Sequence, residues 1–578
     1  MRLPWQAWDL PIWSGNFSVI LVSMRHGSQP RSIAGEVARL RGLLVLGYQG
    51  TLIANPDRPA AASAGTYAAA RISESWFESW LERALWELNL QIPAAQRNGH
   101  GEDVDHGPLL DALRERLRGM ITQIVLASPN MSEQQIACEF PLLAALLKAA
   151  LAEWVNAIAV FHHRFHRDAS RLAAWLGCRK LPGIESLTAA GSDLHEGAHQ
   201  AIGILFRDQQ CIYYKPRSVT GEWLWNRLVG EVNAHSSLRL ASAAVLDGAN
   251  GRYGWVASLL PHGQLYDWDK NSAQAGEYWQ AAGATLCLAE HVRMTDLHMA
   301  NVMATRFGPA LFDAESLGSP RAASGAPRQQ PAEIPSATAI HDLLDTGLLP
   351  NGSEPGLPDT SGLFGQAAAA PQIMIPCWSA GPDGTCRVEL APAALADHGN
   401  APLHASPLEV LPLLVSGYRE ATAALMRCRD SLLSPQSAWR FTLEHRHAPR
   451  IVLRDTLVYG LLASASLRPE LLHSAEHRRT AVQRALRSLD QHALPKAIVR
   501  TEVRTLLHLQ VPRFLALPGS RTLAGSSGRA LAPGFFSCPP AESVLRKIVA
   551  LTPNQLSELH LPHLLMAVFS GCGTTPHG

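Results

Sequence analysis

The sequence predicts an α+β protein, and three observations carry that expectation. Stretches with helical periodicity occupy much of the first and last thirds of the chain. Between them, short apolar runs separated by turn residues read as β-hairpins alternating with helices. At 578 residues and 47% hydrophobic content, the chain can fill more than one core.

Residues 1–185 read as mainly helical after an irregular start, with candidate helices at 70–90, 108–126 and 132–177. Segment 186–320 is the expected catalytic core and includes the helices Glu222–His235 and Gln274–His291. Segment 321–405 is rich in Pro, Gly, Ser and Ala, with few helical runs, and resembles an activation loop in its placement. Helical periodicity returns across 406–578, in Leu408–Asp430, Leu457–Ala463, Ser474–Leu489, Ala497–Leu509, Ala541–Leu551 and an apolar segment at 561–569.

Two short stretches inside the core point to chemistry. Asn301 follows Asp296 by five residues, and Asp313 follows Asn301 by twelve, with Glu315 close behind. Protein kinases space a catalytic Asp and a metal-binding Asn in the same way, followed by a separate metal-binding Asp. One carboxylate must face the attacking hydroxyl while an amide and a second carboxylate reach the metal. Val302–Thr305 and Ala310–Phe312 read as two strands around a turn at Arg306-Phe307-Gly308-Pro309, which would hold Asn301 and Asp313 at neighbouring strand ends. Asp and Asn are also common in capped turns, so the spacing alone is weak.

Upstream, Ala201–Phe206 and Cys211–Lys215 read as a hairpin around Arg207-Asp208-Gln209-Gln210. Lys215 then precedes a helix, where kinases place the lysine that steadies nucleotide phosphates. The chain has six lysines, at 148, 180, 215, 270, 496 and 547, against 44 arginines. A lysine kept under that bias fits a site that needs a compact point charge; the plain alternative is a solvated strand end.

Several segments, in order, match one family: Asp193-Leu194-His195, Tyr214-Lys215-Pro216-Arg217-Ser218, Tyr253-Gly254-Trp255-Val256, Asp296-x-His298-x-x-Asn301, and Pro309-x-x-x-Asp313-x-Glu315. Thr346-Gly347-Leu348-Leu349-Pro350, Asp359-Thr360-Ser361-Gly362-Leu363 and Arg450-x-x-x-Arg454-x-Thr456-x-x-Tyr459 continue the series. Over roughly residues 130 to 500 the chain resembles the dehydratase domain of class II lanthipeptide synthetases, the LanM type. The resemblance implies a bilobal core of lipid-kinase type with an extra N-terminal helical region. It implies ATP and Mg²⁺ as cofactors and a ribosomally made precursor peptide as substrate. Ser and Thr of that peptide would be phosphorylated, and the phosphate then eliminated to leave dehydroalanine or dehydrobutyrine.

On that resemblance, Asp296 orients or deprotonates the substrate hydroxyl, Lys215 and Arg217 hold ATP phosphate, and Asn301 and Asp313 bind Mg²⁺. Glu315 is a second metal ligand or a network partner, and His298 braces the loop or contacts phosphate. Arg450 and Thr456 serve elimination, assisted by Asp193 and His195. The chain departs from the family in Asp313-Ala314-Glu315-Ser316, where Thr is usual at the fourth position, and in Tyr278–Gly283, which lacks an Arg. The family's C-terminal cyclase, with zinc on two Cys and a His, has no counterpart here. The expectation is a stand-alone dehydratase or the dehydratase half of a split or truncated gene, with a separate cyclase as a partner. Two alternatives stay open: a plain peptide or small-molecule kinase, and a catalytically silent peptide-binding scaffold.

Other readings are disfavoured. A net charge of +1 argues against a nucleic-acid binder held by phosphate attraction. Nine scattered cysteines without a C-x-x-C pair do not make a disulfide scaffold, although Cys377 and Cys386 flank a turn and form one candidate pair. No secretory signal is apparent, and the apolar stretch Phe140–Phe161 carries Lys148, Glu153 and Asn156, as a buried amphipathic helix would. The expectation is a cytoplasmic protein without membrane insertion. His195-Glu196-Gly197-Ala198-His199 matches H-E-x-x-H, but a central Gly and a strand directly after it leave too little helix for a zinc site. His162, His163 and His166 cluster without a Cys or carboxylate partner and read as a polar helix end.

Overall fold

In the computed structural model the described residues are 52–54, 72–92, 104–190, 194–197, 199–259, 273–323, 335–350, 359–365, 369–380, 385–395, 406–454, 456–489, 494–551 and 560–571. They form a mixed α and β structure that divides into two compact units assembled from interleaved stretches of chain. Asp193 lies outside the described residues.

The first unit draws on the chain up to Asp208 and adds Ala369–Leu395 and Arg454–Pro512. Helices Glu74–Gln91 and Gly107–Ala127 pack against the long helix Pro141–Trp175. The stretch expected as one helix over 132–177 is two. Ser132 caps Glu133–Glu139 reciprocally with Gln135, and Phe140 then leaves the helical region before Pro141 restarts the helix. Proline lacks an N–H, so it fits a first turn and breaks an interior. Helix Pro141–Trp175 is long and apolar enough to cross a membrane by length and composition. Its Leu143, Leu147, Leu151, Val155, Ile158 and Leu172 are buried within the folded unit.

Strand Ile184–Ala189 pairs antiparallel with Ile202–Phe206, Leu187 opposite Ile204. The Pro- and Ala-rich region after 321 holds a long antiparallel hairpin, Ala369–Ala380 with Cys386–Leu395, and Leu52–Ala54 adds to its edge. Its register sets Cys377 opposite Glu389 and Cys386 opposite Ala380, so the two cysteines are not cross-strand neighbours, and neither is in a disulfide. Helices Thr456–Ala465, Ala475–Ser488 and Lys496–Leu507 complete the unit around Leu462, Val482, Leu486 and Leu506.

The second unit takes Gln209–Ala368, Ala396–Leu453 and Arg513–Gly578. Cys211–Lys215, Gly254–Ala257 and Val245–Asp247 form an antiparallel set, with Lys215 opposite Gly254 and Tyr214 opposite Trp255. Only glycine fits at 254, because a Cβ there would lie 2.3 Å from Val219 Cγ2. Helix Thr220–Ala234 follows the lysine strand. Helix Ala273–His291 packs along Pro407–Leu433 over a core that includes Leu286, Leu288, Val302, Leu414 and Leu425. A four-stranded antiparallel sheet runs in the order Arg450–Ile451, Phe514–Ala516, Leu523–Gly525, Ala530–Ala532.

Candidate active site

Helix Ala273–His291 ends at Val292, and Arg293 and Asp296 both adopt positive φ, at 52° and 65°. That conformation is uncommon for side chains larger than glycine and is held by surrounding contacts. Ser316 Oγ donates to the Thr295 carbonyl and accepts from the Thr295 N–H, pinning the residue before Asp296. Leu297 N–H donates to Thr346 O and Met299 N–H to Thr360 O, both at 2.9 Å. The loop therefore lies between two backbone segments. Glycines permit the approach, since a Cβ on Gly362 would stand 2.3 Å from Leu297 O, one on Gly347 3.0 Å from Leu297 N and one on Gly365 3.0 Å from Met299 Cβ.

Within the loop, His298 Nδ1 accepts from Ala300 N–H and starts the short turn Met299–Asn301. Asn301 Nδ2 donates to Asp296 O at 2.8 Å, which turns its Oδ1 away from that carbonyl. The hairpin Val302–Thr305 with Gly308–Leu311 follows, and Phe312 N–H donates to Asn301 O at 3.0 Å. Asn301 and Asp313 thus sit at neighbouring ends of one hairpin.

Charged groups converge on this end. Lys215 Nζ lies 2.9 Å from Glu222 Oε1 and 3.8 Å from Asp313 Oδ2, and it also donates to Phe312 O. Arg217 reaches Glu222 Oε1 and Asp313 Oδ1 at 2.7 Å each and Glu315 Oε2 at 2.9 Å. Arg450 Nη1 stands 2.9 Å from Glu315 Oε1 and 3.7 Å from Asp296 Oδ2. Arg513 Nη2 takes Glu315 Oε2 at 2.9 Å. The side chains of Asp313 and Asp296 remain 27% and 24% exposed, against 8% for Glu315, so these two carboxylates are the more accessible to solvent.

The electrostatics divide these carboxylates by role. Burial works to raise the Glu222 carboxyl, but Arg217 and Lys215 prevail and hold it at about 2. Burial raises Asp296, with His298 and Arg450 opposing and Asp313 and Glu315 assisting. Burial also lowers His298, which is neutral at neutral pH.

Among the described residues, no three His, Cys, Asp or Glu side chains gather as a ready metal site. The oxygens do fit Mg²⁺, which is commonly held by one or two carboxylates together with substrate phosphates. Asp313 Oδ2 and Asn301 Oδ1 are the fitting pair. Glu315 is placed differently, because both its oxygens are engaged by arginines.

Lys215, Arg217, Asp296, His298, Asn301, Asp313, Glu315 and Arg450 all belong to the second unit. His195 and Thr456 belong to the first. There, His195 Nδ1 donates to Val511 O at 3.1 Å. The H-E-x-x-H segment is a turn closed by His195 N–H to His199 O, with Gly197 at φ 80°. Thr456 is buried at the start of its helix. Arg454 and Tyr459 both reach the fully buried Glu502, at 2.8 Å each. His162 faces His106, with Nε2 atoms 3.0 Å apart.

Glu222, Arg513 and Gly365 were not singled out in the sequence, and Gly347 and Gly362 entered only as parts of longer motifs. Glu222 alone had a legible signal, in the first turn of the helix after the lysine strand.

These features describe a loop-and-hairpin site built from carboxylates, an amide and clustered cations. The chain belongs to the DUF4135 family, described as a domain of unknown function, which it matches over residues 140–516. It is also similar to the lacticin 481/lactococcin biosynthesis protein LcnDR2 of Lactococcus lactis subsp. lactis, with 19% identity over 428 residues. That alignment covers 70% of this chain and 44% of the length of the relative.

Proposed function

We propose that this protein is a lanthipeptide-type dehydratase, dependent on ATP and Mg²⁺. It phosphorylates Ser and Thr of a ribosomally made precursor peptide and then eliminates the phosphate. The observation that carries the reading is the single hairpin end where Asn301 and Asp313 meet Lys215, itself paired with Glu222. A lysine paired with a helical Glu and set against a metal-binding Asp is the arrangement kinases require. The relative named for lacticin 481 biosynthesis supports a precursor peptide as the substrate. On this reading the core is of the bilobal lipid-kinase type, the protein works in the cytoplasm, and a separate cyclase makes any rings.

Asn301 Oδ1 and Asp313 Oδ2 would hold Mg²⁺, which when bound would supply neutralisation of charge on the phosphate oxygens. Lys215 and Arg217 fix the nucleotide phosphates, and Glu222 keeps both cations aimed. Asp296, its carboxyl raised by burial, takes the proton of the substrate hydroxyl more readily than an ordinary aspartate. Neutral His298 braces the loop. Glu315 fixes Arg450 for the second step, in which Thr456, Asp193 and His195 also serve.

Titration with a fluorescent ATP analogue tests the first half. Binding should require Mg²⁺ and weaken by roughly tenfold or more in Asp313→Ala. Equal affinity with and without Mg²⁺, unchanged in Asp313→Ala, would remove the metal assignment and the kinase reading with it.

A further inference from the structure

The geometry points to Arg513 as a phosphate-binding residue that acts beside Arg450. The inference rests on the dehydratase reading and adds to it a group that the motif comparison did not single out.

Glu315 is crowded with cations. Its Oε1 accepts from Arg450 and its Oε2 from Arg513, and Arg217 Nε forms an ion pair with Oε2, each contact at 2.9 Å. One negative charge is thereby shared among three guanidiniums. Arg217 has further anions in Glu222 and Asp313, and Arg450 has Asp296 at 3.7 Å. The ion pair found for Arg513 is the shared one with Glu315. In addition, Arg513 Nε is buried without a hydrogen-bond partner among the described residues. A buried guanidinium N–H left unpaired is costly, and an anion satisfies both the N–H and the charge.

The sheet places this group. Ile451 pairs with Phe514, so Arg450 and Arg513 are carried by neighbouring strands and grip different oxygens of one carboxylate. That fork holds the two guanidiniums together, a geometry suited to a tetrahedral oxyanion.

Phosphate elimination supplies such an anion. A base removes the Cα proton, the freed electron pair becomes the Cα=Cβ double bond, and the Cβ–O bond breaks. Phosphate departs with the bonding pair and gains charge at the leaving oxygen. Paired guanidiniums stabilise that charge as it develops.

Inorganic phosphate, the product of this step, is the probe. Its affinity for the full chain is measured by calorimetry in wild type, Arg513→Gln, Arg513→Lys and the exposed control Arg546→Gln, with melting temperatures alongside. Arg513→Gln should weaken phosphate binding roughly ten- to a hundredfold, as expected for lost charged hydrogen bonds. Arg513→Lys, which keeps the charge without the fork, should fall between Gln and wild type, and Arg546→Gln should match wild type. Equal phosphate affinity in wild type and Arg513→Gln overturns the proposal, as does a wild type that binds no phosphate; Arg513 is then a brace for Glu315. If the Gln variant does not fold, the Lys variant decides, and unchanged affinity there overturns it. Wild-type binding of the ATP analogue is scored separately, so failure of the dehydratase reading and failure of the Arg513 assignment give different patterns.

Discussion

Side chains at the site fall into those that touch substrate and those that hold the others in place. Glu222 belongs to the second group, with Lys215 and Arg217 buried on its two oxygens. Glu222→Ala leaves both cations without that carboxylate and should cost about 3–5 kcal/mol of stability, read from urea unfolding. Unchanged stability would mean that Asp313 alone compensates the pair. Arg450 is expected to act in the second step. With ATP and the substrate peptide, Arg450→Ala should accumulate phosphopeptide, whereas Asp313→Ala leaves the peptide unmodified. Mass spectrometry separates the outcomes: a mass gain without later water loss supports two steps. If wild type also stops at the phosphopeptide, the plain-kinase alternative takes over.

At the scale of elements, backbones in contact set the position of the loop that carries Asp296. Helices Ala273–His291 and Pro407–Leu433 cross at two glycines. A Cβ on Gly283 would lie 2.0 Å from Leu414 O, and one on Gly417 would lie 1.7 Å from Gln280 O. Helical backbone cannot yield as a flexible side chain does, so Gly417→Ala should destabilise by about 1–3 kcal/mol or more. A melting temperature equal to wild type would show that the helices can separate freely. The same crossing includes the arginine-free stretch Tyr278–Gly283. Gln280 in this stretch donates to Glu420 at 3.1 Å, and the segment is packed between helices.

Across the whole molecule, the buried histidines and paired carboxylates with lowered values make acid destabilising, with the raised Asp296 and Asp359 opposing them. His447 and His162 are lowered from 6.5 to about 4 and about 3, chiefly by burial. A lowered histidine stabilises fully above its unfolded value, and that contribution falls as pH drops from 6.5 toward the folded value. Glu222, whose carboxyl is held at about 2 by Arg217 and Lys215 despite burial, contributes above 4.5 and loses that contribution as pH falls toward 2. Glu290 and Asp342 are also lowered, against the pull of burial, by His291 with Lys547 and by Lys547 with Arg293 respectively. Stability should therefore decline in two stages, from about pH 6.5 and again below about 4.5. Circular dichroism melts across pH 3–7 test this; a maximum below pH 5 would contradict it.

Local pattern carried much of this protein. Periodicity located helices within a few residues at Gly107–Ala127, Thr220–Ala234, Ala273–His291 and Pro407–Leu433. Turn chemistry located the hairpin Val302–Leu311, because spacing, strand runs and Gly-Pro turns act over a few residues. Long-range packing decided the rest. The hairpin Ala369–Leu395 contains Pro371, Pro376 and Pro392, which hide its strands from propensity, and it is stabilised by pairing along its length. The motif Arg450-x-x-x-Arg454-x-Thr456-x-x-Tyr459 reads as one line of sequence. Yet Arg450 joins Glu315 in the second unit while Arg454 pairs with Glu502, and Tyr459 donates to it, in the first. Glu315, expected as a second metal ligand or a network partner, is likewise met by three arginines 98, 135 and 198 positions away along the chain. Sequence determined which groups are available and how neighbours fold. Tertiary structure alone decided which charges meet, because ion pairing depends on distance in space and not on separation along the chain.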